Sequence, residues 1–166
     1  RYSTDLVAFR VVMLIYEDYQ LTDELFGQVF STLADLPIDA HIQRGAFYNA
    51  VLELYIRTRQ FAAAEDVAQR ALYHYEQAEV PMLAFYIALH RALMRLLMGD
   101  AINARQHAEQ AAQYLHGVGF DSPGDARLLK LLEACIDYEG GKPESLARFL
   151  STELDDFVHG EIWPSL

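Results

Sequence analysis

A helical pattern that recurs at a fixed offset along the chain is the feature that most constrains how this chain folds. Small and apolar residues follow one another at spacings of three and four in two separate segments. They are Phe61, Ala64, Ala68 and Ala71 in the first segment and Ala101, Ala104, Ala108 and Ala111 in the second. Residues at these spacings share one helix face, and small side chains there let two helices approach closely. The repetition predicts helical hairpins that stack on one another as an α-solenoid.

Proline and glycine residues divide the chain into about eight predicted helices, and no segment shows the alternation typical of strands. We place these helices at about 4–19, 23–36, 38–57, 61–78, 81–98, 101–116, 123–138 and from 143 onward. No linker is long enough to separate two domains. We therefore predict one all-α domain over residues 1–166, with its clearest repeats at 46–78 and 82–117 and a weaker unit at 123–158.

Composition excludes several classes of protein. An apolar fraction of 52% in 166 residues predicts a folded core rather than a disordered chain. The net charge of −11 opposes binding to nucleic acid or to an anionic membrane. Because Cys135 is the only cysteine, no internal disulfide is possible, and we expect a buried thiol in a cytoplasmic protein. Residues 82–98 are strongly apolar, but two arginines near their middle favour a central solenoid helix over a membrane span.

The segment from residue 46 to 116 resembles the tetratricopeptide repeat (TPR). Its first-helix positions hold Tyr48, Leu52 and Tyr55, and the alanines of the second helix follow. The resemblance implies antiparallel helix pairs in a right-handed superhelix. The offset from Phe61 to Ala101 exceeds the usual repeat of about 34 residues. The longer helices that this offset requires look like those in the superhelical region of large LuxR-type (MalT-like) bacterial transcription regulators, which implies that the chain is a segment of a longer protein.

Polar residues on the first helix of each pair are the candidate binding residues. The resemblance implies that Asn49, Glu53 and Tyr86 face a concave groove. Arg91 and Arg95 are one turn apart on a helix without acidic residues, and such a pair can clamp a carboxylate or phosphate. They can equally bond an internal acid such as Glu53 or Asp137. The main hypothesis is a scaffold or protein-interaction domain of a bacterial regulator. The alternative is an effector-sensing domain with an anion pocket near Arg91 and Arg95.

Catalytic and metal-binding motifs are missing from the sequence. The histidines at 41, 74, 90, 107, 116 and 159 include no pair at the helical spacing of a zinc site. No serine lies in a nucleophile elbow, and the glycines at 117 and 119 lack the rest of a phosphate-binding loop. We predict a protein without enzymatic activity, metal or cofactor. Its predicted partner is a protein, a peptide or a second copy of the chain, with no direct contact to nucleic acid or membrane.

Overall fold

The computed structural model describes residues 23–117 and 123–152, and all regular secondary structure in these two ranges is helical. The helices, numbered in chain order, are α1 (Asp23–Asp35), α2 (His41–Arg57), α3 (Phe61–Gln77), α4 (Pro81–Leu97), α5 (Ala101–Gly117), α6 (Pro123–Glu139) and α7 (Pro143–Thr152). The all-α prediction is confirmed for these ranges. The helix predicted at 4–19 and the chain after residue 152 lie outside them. The chain divides into two compact units between Val80 and Pro81.

Helices α2 to α5 share one length and one register. Helix α2 begins at His41 and α4 at Pro81, while α3 begins at Phe61 and α5 at Ala101. Each of the four helices has 17 residues. Equivalent helices therefore begin and end at the same offset in sequence, and the predicted repeat length is confirmed in the helix bounds.

The same turn ends α2, α3, α4 and α6. In each turn the second residue after the helix has a positive φ, and these residues are Arg59 (60°), Glu79 (54°), Gly99 (76°) and Gly141 (83°). After α4, the N–H of Gly99 donates to the carbonyl of Leu96 and the N–H of Asp100 to that of Arg95, both at 2.9 Å. The other three turns repeat these two bonds. This Schellman arrangement satisfies carbonyl groups that the helix end leaves open.

The helix starts are less uniform than the helix ends. Asp100 caps α5, because its Oδ1 accepts a hydrogen bond from the backbone N–H of Asn103 at 3.1 Å. Its Oδ2 accepts a second bond from the side-chain amide of Asn103 at 2.6 Å. Ala40 and Gln60, at the corresponding positions before α2 and α3, make no capping bond through their side chains.

In the first unit, α2 and α3 pack closely along the small residues that the sequence pattern singled out. Ala64, Ala68 and Ala71 of α3 have no exposed surface. On α2, a β-carbon added to Gly45 would lie only 2.4 Å from a ring carbon of the buried Tyr75. Glycine at position 45 therefore lets the backbone of α2 approach the Tyr75 ring more closely than any side chain would allow.

In the second unit, α4 is the central helix. It packs against α5 and α6, and α6 also contacts α5 and α7. Nine residues of α4 are buried, which agrees with the prediction of a helix covered on several sides. No helix in the described ranges has the length and apolar character needed to cross a membrane.

A small apolar cluster joins α6 to α7 at the far end of the second unit. Leu131, Ala134 and Phe149 are buried in it, and Leu146 and Cys135 are partly buried against it. Cys135 is thus half-buried, whereas the sequence analysis expected a buried thiol. Burial still raises the pKa of its thiol, which keeps this cysteine protonated and unreactive at neutral pH.

Candidate functional site

Two of the predicted binding residues lie one turn apart on α2, in the first unit. The Oδ1 atom of Asn49 and the Oε1 atom of Glu53 are buried and have no hydrogen-bond partner among the described residues. Glu53 is only 7% exposed. A carboxyl group buried this deeply is unusual unless it is paired, because transfer from water is costly.

The protonation of Glu53 follows from this environment. Burial raises the pKa of its carboxyl group to about 7, and the positive charge of Arg57 one turn later lowers it only in part. Neutral and charged forms of Glu53 therefore coexist near physiological pH. The carboxyl group of Glu53 is therefore buried, whereas the resemblance implied that this residue faces an open groove.

The other three predicted binding residues lie on α4, in the second unit. Tyr86 donates a hydrogen bond of 2.7 Å to Oδ1 of Asp125 in the first turn of α6, so its hydroxyl joins two helices. Arg91 and Arg95 are half-buried, and each takes part in polar or ring interactions within the protein. His90, which directly precedes Arg91, is buried, and burial lowers the pKa of its imidazole to about 4. His90 is therefore a neutral core residue at pH 7.

A groove in the second unit lies between α5 and the turn that joins α6 to α7. Its volume is about 360 Å³, and its lining includes Ile102, Gln106 and Glu109 from α5 and Ile136 from α6. Ile102 is 76% exposed, so its apolar side chain is in contact with solvent beside the opening of the groove. The sequence analysis did not single out these residues. Ile102 lies next to a helix face occupied by small residues, and no pattern in the sequence marks it as a contact.

Charged residues line the same groove. Arg105 of α5 forms a hydrogen-bonded ion pair with Asp137 of α6. A hydrogen bond from Ser145 of α7 is the main cause that lowers the pKa of Asp137. The Asp137 carboxylate therefore ties three helices together beside the opening. Asp137 was one of the two acids considered as partners for Arg91 and Arg95, and its observed partner is Arg105.

A histidine pair in the first unit was missed by the sequence analysis. The Nδ1 atoms of His41, at the start of α2, and His74, in the last turn of α3, are 2.9 Å apart. The two residues are 33 positions apart in sequence, so a search for helical spacings does not find them. The predicted hairpin could have indicated this contact. When a short turn joins two antiparallel helices, the start of the first helix lies beside the end of the second.

The described ranges therefore contain a buried carboxyl and a histidine pair in the first unit, and an apolar groove with a charged rim in the second. Comparison of the chain with protein-family models, with curated proteins and with solved structures finds no match.

Proposed function

We propose that this chain is a non-catalytic helical-repeat domain that binds a segment of another protein. In this proposal the pairs α2–α3 and α4–α5 are successive antiparallel units of a right-handed, TPR-like solenoid. One observation supports it above the others: four helices of 17 residues recur in two pairs with equivalent bounds. Repeats of this kind present extended surfaces that are well suited to binding peptides or other proteins.

The proposed contact is the groove between α5 and the α6–α7 turn. Its volume of about 360 Å³ suits one or two apolar side chains of a bound segment. Ile102 would pack on such a side chain, and this is the kind of contact that dominates interface energies when water is excluded. Arg105, Glu109 and Lys142 at the groove provide both signs of charge to orient the segment.

The likeness of the long repeat to the superhelical region of LuxR-type regulators suggests the setting of this domain. We propose that it is the repeat region of a bacterial transcription regulator and transmits the binding of a partner to the rest of that protein. The helices of 17 residues support this assignment, because they make the repeating unit longer than the common repeat of about 34 residues.

Selection from a peptide library displayed on phage tests the proposed function. We expect the chain to enrich peptides with a shared apolar anchor. Ile102→Asp places a charge beside the groove, and binding of the enriched peptides should fall at least about tenfold, or 1.4 kcal/mol. Ile38→Asp is the matched control, because Ile38 is 86% exposed in the first unit and lies far from the groove in sequence.

Two results would contradict the proposal. One is enrichment of no peptide, and the other is equal binding by the parent, Ile102→Asp and Ile38→Asp. A small anion that raises the melting temperature of the parent, but not of Arg91→Ala/Arg95→Ala, would instead favour the effector-sensing alternative.

A further inference from the structure

Two imidazole rings meet where α2 begins and α3 ends. The Nδ1 atoms of His41 and His74 share a hydrogen bond of 2.9 Å, and the ring centroids are 5.1 Å apart. One ring must carry the proton on Nδ1 and the other must offer a lone pair there. Both side chains are only partly buried, so water and dissolved ions reach the pair.

Aromatic neighbours hold the two rings in place. Tyr48 stacks on His74 with ring planes 9° apart and centroids 5.8 Å apart. Tyr73 makes edge contacts with both histidines, at centroid distances of 6.2 Å to His41 and 5.2 Å to His74. Packing of this kind restricts the side-chain rotamers, so the two nitrogens are positioned before any ligand arrives.

Two arginines are relevant to the charge around the histidine pair. Burial lowers the pKa of His74, and the nearby His41 and Arg44 lower it further. The guanidinium of Arg44 donates hydrogen bonds to the carbonyls of Leu36 at 2.6 Å and Pro37 at 2.9 Å, so it is held by the turn before α2. The other nearby cation, Arg70, is paired with Asp66. Neither arginine donates to the Nδ1 atoms of the histidines in the described contacts.

We propose that His41 and His74 form a two-histidine site for a divalent transition-metal ion, with water completing the coordination. Imidazole nitrogens bind such ions at about 2.0–2.1 Å, so two of them on one ion lie about 2.9–3.4 Å apart, depending on the bond angle. The observed separation of 2.9 Å falls at the short end of this range. Binding requires both rings to carry their proton on Nε2, and each ring to turn so that its Nδ1 lone pair points at the ion instead of at the other ring.

The ligand set defines which ions bind best. No group of three or more histidine, cysteine, aspartate or glutamate residues that suits a metal lies in the described ranges, so this site offers two protein ligands. Imidazole donors favour Cu²⁺ and Ni²⁺, and the short nitrogen separation suits the right-angle positions of their tetragonal geometry. We expect Cu²⁺ to bind most tightly, followed by Ni²⁺, with Zn²⁺ close to or below Ni²⁺. The positive charge of Arg44 weakens binding of all three ions.

Titration of the 166-residue chain with Cu²⁺ and Ni²⁺, followed by calorimetry and electron paramagnetic resonance, tests the proposal. We expect one ion per chain and two nitrogen donors in the Cu²⁺ spectrum. His41→Gln and His74→Gln should each weaken binding at least tenfold, since one imidazole alone does not chelate. His116→Gln is the matched control, because His116 is an exposed histidine at the end of α5. This variant should bind the metal ion as tightly as the parent does.

Nuclear magnetic resonance on the unsubstituted chain decides the matter even if a variant fails to fold. Bound Cu²⁺ should broaden the imidazole signals of His41 and His74 before those of any other histidine. Broadening that begins at other histidines, parental affinity in both glutamine variants, or binding weaker than about 1 mM would each overturn the proposal.

Discussion

Gly45 shows at the scale of one residue why two helices of this protein approach as closely as they do. Its position in the interior of α2 is costly, because glycine lowers helix stability by about 1 kcal/mol relative to alanine. Tyr75 of α3 occupies the space where a β-carbon would stand, and its side chain is buried. The contact with the aromatic ring therefore outweighs the loss in helix propensity.

Replacement of this glycine gives the first prediction. Gly45→Ala should lower the free energy of unfolding by on the order of 1–2 kcal/mol, because the overpacking cost exceeds the gain in helix propensity. Gly27→Ala is the matched control, since an added β-carbon in α1 meets no atom within 4 Å. That variant should be as stable as the parent or more stable. Urea denaturation of the three proteins decides the point, and a stabilised Gly45→Ala would show that the Tyr75 ring moves aside.

Residue-scale features of the site were only partly open to prediction from the sequence. The positions of Asn49 and Glu53 on one face of α2 follow from their spacing of four. The burial of Glu53 does not, because a charged residue on a helix is usually exposed. The same holds for His41 and His74, whose contact depends on how α2 and α3 pack.

At the scale of the helices, the shared terminal turn has a measurable cost. Glu79 adopts a φ of 54° after α3, in the position that Gly99 occupies after α4. A side chain in this left-handed region costs roughly 1 kcal/mol or more, while glycine adopts it freely. Arg59 occupies the same position after α2, but its guanidinium also lies 5.9 Å from the centroid of the Phe61 ring. Glu79 is therefore the cleaner position for a test.

We predict that Glu79→Gly stabilises the protein by roughly 0.5–1 kcal/mol, because it removes backbone strain without removing a buried contact. Gly99→Ala, in the same turn after α4, should destabilise it by a similar amount. Thermal unfolding of both variants provides the measurement. Changes of the same sign in the two proteins would contradict the assignment of strain to residue 79.

Sequence reasoning succeeded for helices whose ends carry strong local signals. Pro81 and Gly99 bracket α4, and its observed bounds differ from the predicted ones by no more than a residue. Helix α2 begins at His41 instead of residue 38, because the chain first makes a turn in which the N–H of Ala40 donates to the carbonyl of Pro37 at 3.1 Å. Apolar Ile38 suggested a helical residue there, yet it is exposed in that turn.

At the scale of the whole molecule, two buried titratable groups make opposite contributions to stability. The pKa of Glu53 rises from 4.5 to about 7 on folding, so the folded state holds a proton that the unfolded state has lost. Its contribution is greatest below pH 4.5 and falls as pH rises to about 7. The pKa of His90 falls from 6.5 to about 4, so its contribution is complete above pH 6.5 and is lost as pH falls to about 4.

The opposite pH dependences of these two contributions to stability give the third prediction. The stability difference between Glu53→Gln and the parent should grow in favour of the variant by up to about 1.4 kcal/mol per pH unit between pH 4.5 and 7. His90→Leu should instead gain on the parent as pH falls from 6.5 to 4. Urea denaturation at half-unit intervals of pH measures both differences. Differences that do not change with pH would show that these groups titrate alike in the folded and unfolded states.

The common register of α2 to α5 also bears on how such a chain changes over time. Because equivalent helices begin and end one repeat length apart, recombination between matching points of two copies joins helix to helix in phase. Such an exchange adds or removes a whole hairpin and leaves every helix intact, wherever the crossover falls. The chain can therefore lengthen or shorten in steps of one hairpin without disturbing the helix register.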